Sequence, residues 1–462
     1  MKALVKKIDR KIKRSMRKVT KDTISLVNIN SIKSEPKPNA PFGEGVKAVH
    51  DKIKQMSEKE GFFFKDYGVG VVSVALKDQS IDLGIWIHGD VVEVGAGWTF
   101  EPFNAKKYKG CVIGRGATDN KGQAAAVFNL LKVFKDLKID LKYNPAIFVG
   151  GNEETGMADL LGDSNIEGAK GFLNVAKPPK LSLVPDGDFP CDYAGRGSMY
   201  LHLKSNKKLS SFTLSSSVDG RAVAEFDGQV DCAFEKCTTK FENGKTQIAC
   251  QLAPRHGSYK NGSMITFLSK GLLESDLVND EEKSVLQFIL DSSLAIYGEN
   301  LGIAVQDEKL GRLTNIFKII NTKDGQLELV FNVGYPYCCD KEEIVKKVEE
   351  VAKKHDFSLS LIDFRYDAYY HETQTEVMDI LINATEKVDG QPQKTFLTDG
   401  GTYAHNLPNA YVFGASGNLP PDNFDKDRGG AHGPDEAVRI SRLERAMKIY
   451  ARALLALNDY KW

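Results

Sequence analysis

In the first half of the chain four short apolar runs each end in a cluster of ionisable residues, and this repetition constrains the fold more than any other feature. The runs are Leu83-Gly84-Ile85-Trp86-Ile87, Cys111-Val112-Ile113, Ala146-Ile147-Phe148-Val149 and Leu181-Ser182-Leu183-Val184. They lead into His88-Gly89-Asp90, Gly116-Ala117-Thr118-Asp119-Asn120-Lys121-Gly122, Asn152-Glu153-Glu154-Thr155-Gly156 and Pro185-Asp186. Runs of this kind read as buried strands, and open α/β sheets gather the residues that follow their strands into one crevice. Each run is therefore expected to supply a strand of such a sheet. A fifth polar piece, Ala431-His432-Gly433-Pro434, stands near the C-terminus.

A chain of 462 residues is too long for a single core and favours two domains, at roughly 100–200 residues per domain. From about Lys21 to Arg196 helical segments alternate with short buried strands, and glycine marks the joins. One helix is expected from Asp119 to Leu137. After Ala194-Gly195-Arg196-Gly197 the texture turns to alternating strands (Met199 to Leu203, Gln247 to Leu252, Leu327 to Phe331) and an amphipathic helix from Lys341 to Val351. Past Tyr370 a helix from Glu372 to Val388, the glycine turn Asp399-Gly400-Gly401-Thr402-Tyr403 and a helix from Ser441 to Asn458 return to the first texture. The expected architecture is α/β: a mixed-sheet domain with helices on both faces, built from residues 1–196 and 370–462, and an inserted α+β domain at 197–369.

Formal net charge is zero, so nothing global points to nucleic acid or a membrane surface as the partner. A small molecule or peptide fits better. Seven cysteines form an odd set without C-x-x-C spacing, which reads as reduced thiols in a cytoplasmic protein. The basic stretch from Lys6 carries Ile8, Ile12, Met16 and Val19 at helical spacing. A surface helix docked by that stripe is the plain reading, and attachment to an acidic partner or anionic lipid is the other. No signal core follows it and no run is long enough to span a membrane.

Several residues carry chemistry. His88 and Asp90 lie two apart and face the same side of an extended strand end, where a carboxylate can orient a metal-ligating imidazole. Satisfied polar strand ends would explain them equally simply. Asp119 opens a helix from a glycine-bracketed turn, as a helix cap or as a carboxylate bridging two cations. Adjacent Glu153 and Glu154 repel one another unless a cation is near, and such pairs can divide into ligand and general base. Asp186 and His432 add a further carboxylate and imidazole. Taken as an ordered set, these residues imply a dinuclear metal site.

The same pieces, in this order, resemble the cocatalytic-zinc peptidases that include aminoacylases, carnosinases, succinyl-diaminopimelate desuccinylases and bacterial dipeptidases. Asn30-Ser31, Ala40-Pro41-Phe42-Gly43-Glu44-Gly45, the large insertion and Gly400-Gly401-Thr402-Tyr403-Ala404 are similar to the dipeptidase V branch, and the resemblance runs from about Thr20 onward. It implies two divalent ions, zinc first, with manganese or cobalt as alternatives. Asp119 would bridge them, Glu154 and His432 completing one position, His88 and Asp186 the other. It further implies Glu153 as the base that activates water, Asp90 as the residue holding the His88 ring, and a cis peptide between Asp119 and Asn120. Arg255-His256-Gly257-Ser258 is similar to the family motif whose histidine stabilises the oxyanion, which assigns that role to His256; on chemistry alone His256 reads as a surface histidine. Gly401, Thr402, His405 and Arg255 are the corresponding candidates for substrate binding.

Departures bear on substrate. Where the branch ends a lid strand in Arg-Tyr-Pro this chain has Gly334-Tyr335-Pro336, the lid asparagine has no clear counterpart around Arg221 to Phe226, and His405 stands where Arg is frequent. The expectation is a metal-dependent amide hydrolase acting on a dipeptide or dipeptide-like substrate. An N-acyl amino acid deacylase is the alternative. A non-catalytic, metal-holding interaction protein is the rival from another class, against which the intact Glu153 argues.

Overall fold

The computed structural model describes residues 2–163, 168–216, 221–251, 264–371, 375–415, 424 and 428–462. The chain divides into two compact units: Met1–Ala194 with His371–Trp462, and the continuous segment Gly195–Tyr370.

The first unit is built on a six-stranded mixed sheet, in the order Phe63–Asp66, Val71–Ala75, Pro145–Gly150, Leu83–His88, Leu181–Val184, Ala410–Val412. The last four strands run parallel to one another, and the first two extend the sheet antiparallel. All six residues of Leu83–His88 and of Pro145–Gly150 are buried, as expected for strands covered on both sides. Alternation then sorts the side chains. Ile85, Ile87, Ile147 and Val149 join the core beneath the long helices, whereas Trp86 and Phe148 point the other way. There they stack at 4.3 Å and meet Phe172 and Tyr403, the latter on a short 3-10 turn.

The N-terminal helix Lys2–Val27 buries Ile8, Ile12, Met16, Val19 and Leu26 against the helices Lys121–Asp136 and Ile440–Ala456. Its apolar stripe is therefore core. Polar links flank it: Lys11 to Asp136 at 2.9 Å, and Arg452 Nη1 and Nη2 to Asp9 at 2.9 and 2.8 Å. Among the described residues no helix is long and apolar enough to cross a membrane.

Two expectations need correction. Cys111–Ile113 is not a strand of the main sheet; it is the middle of a separate antiparallel ribbon with Lys106–Tyr108 and Ala437–Arg439. Three apolar residues bury equally well in either setting, so the run alone could not choose. Nor do all seven cysteines read as free thiols. Cys237 and Cys250 face each other across the antiparallel pair Cys237–Glu242 and Lys245–Gln251 as a disulfide. The ladder, rather than local spacing, brings them together.

The second unit is an antiparallel eight-stranded sheet, in the order Cys237–Glu242, Lys245–Gln251, Arg221–Asp227, Thr213–Ser216, Thr314–Lys323, Gln326–Tyr335, Gly197–Lys208, Phe357–Tyr366. Along Gly197–Lys208, Met199, Leu201 and Leu203 are buried while Tyr200, His202 and Lys204 are not. The buried set packs with Ile265, Leu268, Leu286, Ile289, Ile344 and Val348 from three helices. One of these, Lys341–Lys354, begins at Asp340, whose carboxylate accepts the Glu342 and Glu343 amides at 2.9 and 3.3 Å. This is an α+β unit.

Candidate metal centre

Parallel pairing sets His88 level with Gly150, so the segments leaving Leu83–His88, Pro145–Gly150 and Leu181–Val184 emerge at one edge of the sheet. They bring His88, Glu153, Glu154 and Asp186 together, and two loops add Asp119 and His432. His88 Nε2 lies 2.9 Å from Asp119 Oδ1 and 3.8 Å from Asp186 Oδ2. His432 Nε2 lies 3.1 Å from Asp119 Oδ2 and 3.1 Å from Glu154 Oε2. The donors form two triads, His88-Asp119-Asp186 and Asp119-Glu154-His432, each with its ligand atoms within 4.8 Å of one another. Asp119 belongs to both. It does not serve as the helix cap, because Asn120 occupies that position. The Asp119–Asn120 peptide is cis.

The electrostatics fit a cation pair. Burial opposes a charged His432 ring, but Asp119 and Glu154 outweigh it and push its pKa up to about 11. His88, also buried, is raised well above its usual value by Asp119 and Asp90. Burial, then the neighbouring Asp119 charge, raise Asp186 to about 7 and lift Glu154 as well. The cluster thus collects protons where positive charge is wanted. Histidine and carboxylate donors suit zinc, manganese or cobalt.

Hydrogen bonds fix these donors. His88 Nδ1 is 3.1 Å from the Asp90 carbonyl oxygen and 3.6 Å from its carboxylate. A carbonyl only accepts, so Nδ1 carries a proton, and Nε2, which faces Asp119, is the nitrogen that would serve a metal once its own proton is displaced. The Asp90 carboxylate accepts the Glu153 and Glu154 amides at 3.2 and 3.1 Å, locking the acidic turn to the His88 strand. Glu153 is buried, its Oε1 unpartnered among the described residues, and burial pushes its carboxyl well above the usual range.

Other positioning residues were not singled out from sequence. Asn120 Nδ2 donates to Asp186 Oδ1 at 2.7 Å and to the Pro185 carbonyl at 3.1 Å. Glu436 and Arg115 form a buried pair beside Asp119. Asp159 accepts the Gly151 and Asn152 amides at 2.8 and 3.2 Å and the Tyr403 hydroxyl at 2.5 Å. A charged residue set among glycines, as Arg115 is in Gly114-Arg115-Gly116, was the available signal. Gly116 has φ +86°, and a Cβ there would meet Val91 Cγ1 at 2.7 Å.

The substrate candidates fare unevenly. Thr402 caps the turn Tyr403–His405 through the Ala404 amide at 3.2 Å and is buried; Gly401 and His405 are half-buried beside it. Arg255 and His256 lie outside the described residues. At Gly334 a Cβ would meet Thr314 Oγ1 at 2.6 Å, so the Thr314 hydroxyl fills the space where a side chain would begin.

Residues 85–456 match the profile of Peptidase family M20/M25/M40. The chain belongs to that family. It is 28% identical over 470 residues to the "Putative dipeptidase YtjP" of Bacillus subtilis (strain 168), covering 95% of this chain and 96% of the relative. A Staphylococcus saprophyticus relative with the same class of name is 24% identical over 95% of this chain and 97% of its own. The fold is that of human carnosine dipeptidase 1 (TM-score 0.61, 16% identity, 98% of this chain and 99% of that one). It is also that of the dipeptidase Dug1p from Saccharomyces cerevisiae (TM-score 0.63, 14% identity, all of both chains). As an M20 family member the protein is a metallopeptidase.

Proposed function

We propose that the protein hydrolyses the amide bond of a dipeptide or dipeptide-like substrate with two divalent ions bound, zinc being the first candidate. His88, Asp119 and Asp186 would hold one ion, and Asp119, Glu154 and His432 the other. The observation that carries the reading is the pair of donor triads meeting at Asp119, next to a buried Glu153 with an unpartnered Oε1. When bound, such ions supply Lewis acidity and make water nucleophilic near neutral pH.

The chain's own residues supply the rest. Glu153 takes the proton from the attacking water and delivers it to the leaving amine. Its buried, raised carboxyl suits a group that must both accept and return a proton. Asp90 fixes the acidic turn and, through its carbonyl, the His88 tautomer. His256 is assigned, from the motif resemblance, to stabilise the oxyanion, with Arg255, Gly401, Thr402 and His405 near the substrate ends.

Relatives named as dipeptidases favour this substrate class over N-acyl amino acids. The test is a hydrolysis panel of dipeptides and N-acyl amino acids with the purified protein, after chelation and with each metal returned. Dipeptide turnover restored by metal is the expected result; turnover of N-acyl amino acids alone would replace this reading with a deacylase.

A further inference from the structure

The donors on the two sides of Asp119 are held by different means. His88 and Asp186 follow directly from paired parallel strands, and Asn120 pins Asp186. His432 belongs to a loop and has φ +60°. Beyond the ribbon that pairs Ala437–Arg439 with Cys111–Ile113, one carboxylate and one guanidinium join that loop to the Asp119 turn.

Glu436 and Arg115 are each 1% exposed and meet at 2.7 Å. Glu436 Oε2 also accepts the Gly116 amide at 3.0 Å, and Oε1 accepts the Thr118 and Asp119 amides at 2.9 and 3.1 Å. Every nitrogen in that set belongs to the turn that presents Asp119. Arg115 Nη2 in turn donates to the His432 carbonyl at 3.2 Å and to the Glu93 and Val94 carbonyls at 3.2 and 3.0 Å. The backbone closes the link, Gly114 N donating to the Glu436 carbonyl at 2.8 Å. A buried ion pair is weak evidence of stabilisation, since desolvation offsets its attraction. Its hydrogen bonds, however, fix the two loops that carry Asp119 and His432.

We infer that the Arg115–Glu436 pair is a positioning device that acts first on the Asp119-Glu154-His432 metal position, where it holds two of the three donors, and less on the His88-Asp119-Asp186 position, where it holds only the shared Asp119. The inference rests on the dinuclear reading above. Glu436→Gln keeps shape and one acceptor oxygen but turns a donor either on Arg115 and the Gly116 amide or on the Thr118 and Asp119 amides. The Asp119 turn and the His432 loop then lose side-chain bonds that tie them together, while His88 and Asp186 keep their strand and Asn120 anchors.

The experiment is a zinc titration of the metal-stripped full chain against a competing chelator, with circular dichroism and thermal unfolding as checks of folding. Wild type is expected to bind two ions. Glu436→Gln is expected to bind the first within ~3-fold of wild type and the second ~30-fold or more weakly, with activity recovering at excess zinc. Arg115→Lys can keep the ion pair but not the bond to the His432 carbonyl, and should weaken the second ion ~10-fold; it decides the matter if Glu436→Gln does not fold. Wild-type affinity for both ions in the folded variant, or equal weakening of both, overturns the positioning role. A wild type that binds only one ion instead overturns the dinuclear reading.

Discussion

Tyr403→Phe removes one oxygen from a buried network and leaves the ring packing against Trp86 in place. The Tyr403 hydroxyl donates at 2.5 Å to Asp159 Oδ2, which otherwise has only the Gly151 and Asn152 amides, while Asp159 Oδ1 has no partner among the described residues. Burial, with the Asp90 charge adding to it, raises the Asp159 pKa from its ordinary 3.8 to about 6. Burial also keeps the Tyr403 phenol protonated well above its ordinary value. At pH 8 the lost bond is therefore one to a charged group, worth roughly 1.5–3 kcal/mol, and the variant should lose about 2 kcal/mol. The pH dependence has a definite sign. A carboxyl raised on folding contributes stability that is present in full below its unfolded value and is lost as pH rises through about 6. Without the hydroxyl the carboxyl rises further, so the variant gains more than wild type as pH falls. The penalty should shrink to about 1 kcal/mol at pH 5, the worth of a neutral hydrogen bond. Urea unfolding of both proteins at the two pH values measures it, and a gap below ~0.5 kcal/mol at pH 8, or one equal at both values, refutes the reasoning.

Chelation should abolish hydrolysis and metal return restore it, with about two ions per active chain by elemental analysis; a single ion at full activity contradicts the two triads. Glu153→Gln should keep both ions and lower kcat by ~10³-fold or more, whereas Glu154→Gln should lose metal affinity first, so metal content measured beside kcat separates base from ligand. Ile12→Ala, at a fully buried position of the N-terminal helix, should cost ~2–4 kcal/mol in chemical denaturation; a negligible change would make that helix an appendage. With Gly334 offering no cation, kcat/KM for a good dipeptide should fall less than ~100-fold on C-terminal amidation; a larger loss would place a carboxylate clamp elsewhere.

What the sequence made legible follows from how each residue is held. His88, Glu154 and Asp186 could be placed because each trails a parallel strand, and parallel neighbours in register bring their following residues together. The mixed sheet and the strands and helices of the second unit were legible because continuous burial and alternation are written in the residue pattern, whereas the antiparallel order of those strands was not. Asp119 lies beside His88, Glu154 and Asp186, yet the strand before it belongs to a different ribbon, and it reaches the site through a loop fixed by Glu436. That fixing was out of reach: Arg115 and Glu436 are 321 positions apart, and Tyr403 and Asp159 are 244 apart. No periodicity links such pairs, and a charge among glycines marks Arg115 as unusual without naming its partner. The cysteine pair was hidden similarly, its partners 13 apart and facing only through a ladder. Residues that would touch the ions thus announce themselves through strand ends, whereas the residues that hold them in place come together only through tertiary structure. A substitution at Glu436 or Asp159 consequently looks conservative in the sequence and acts on the site through hydrogen bonds to backbone, which any side chain of similar size but different donor pattern would disturb.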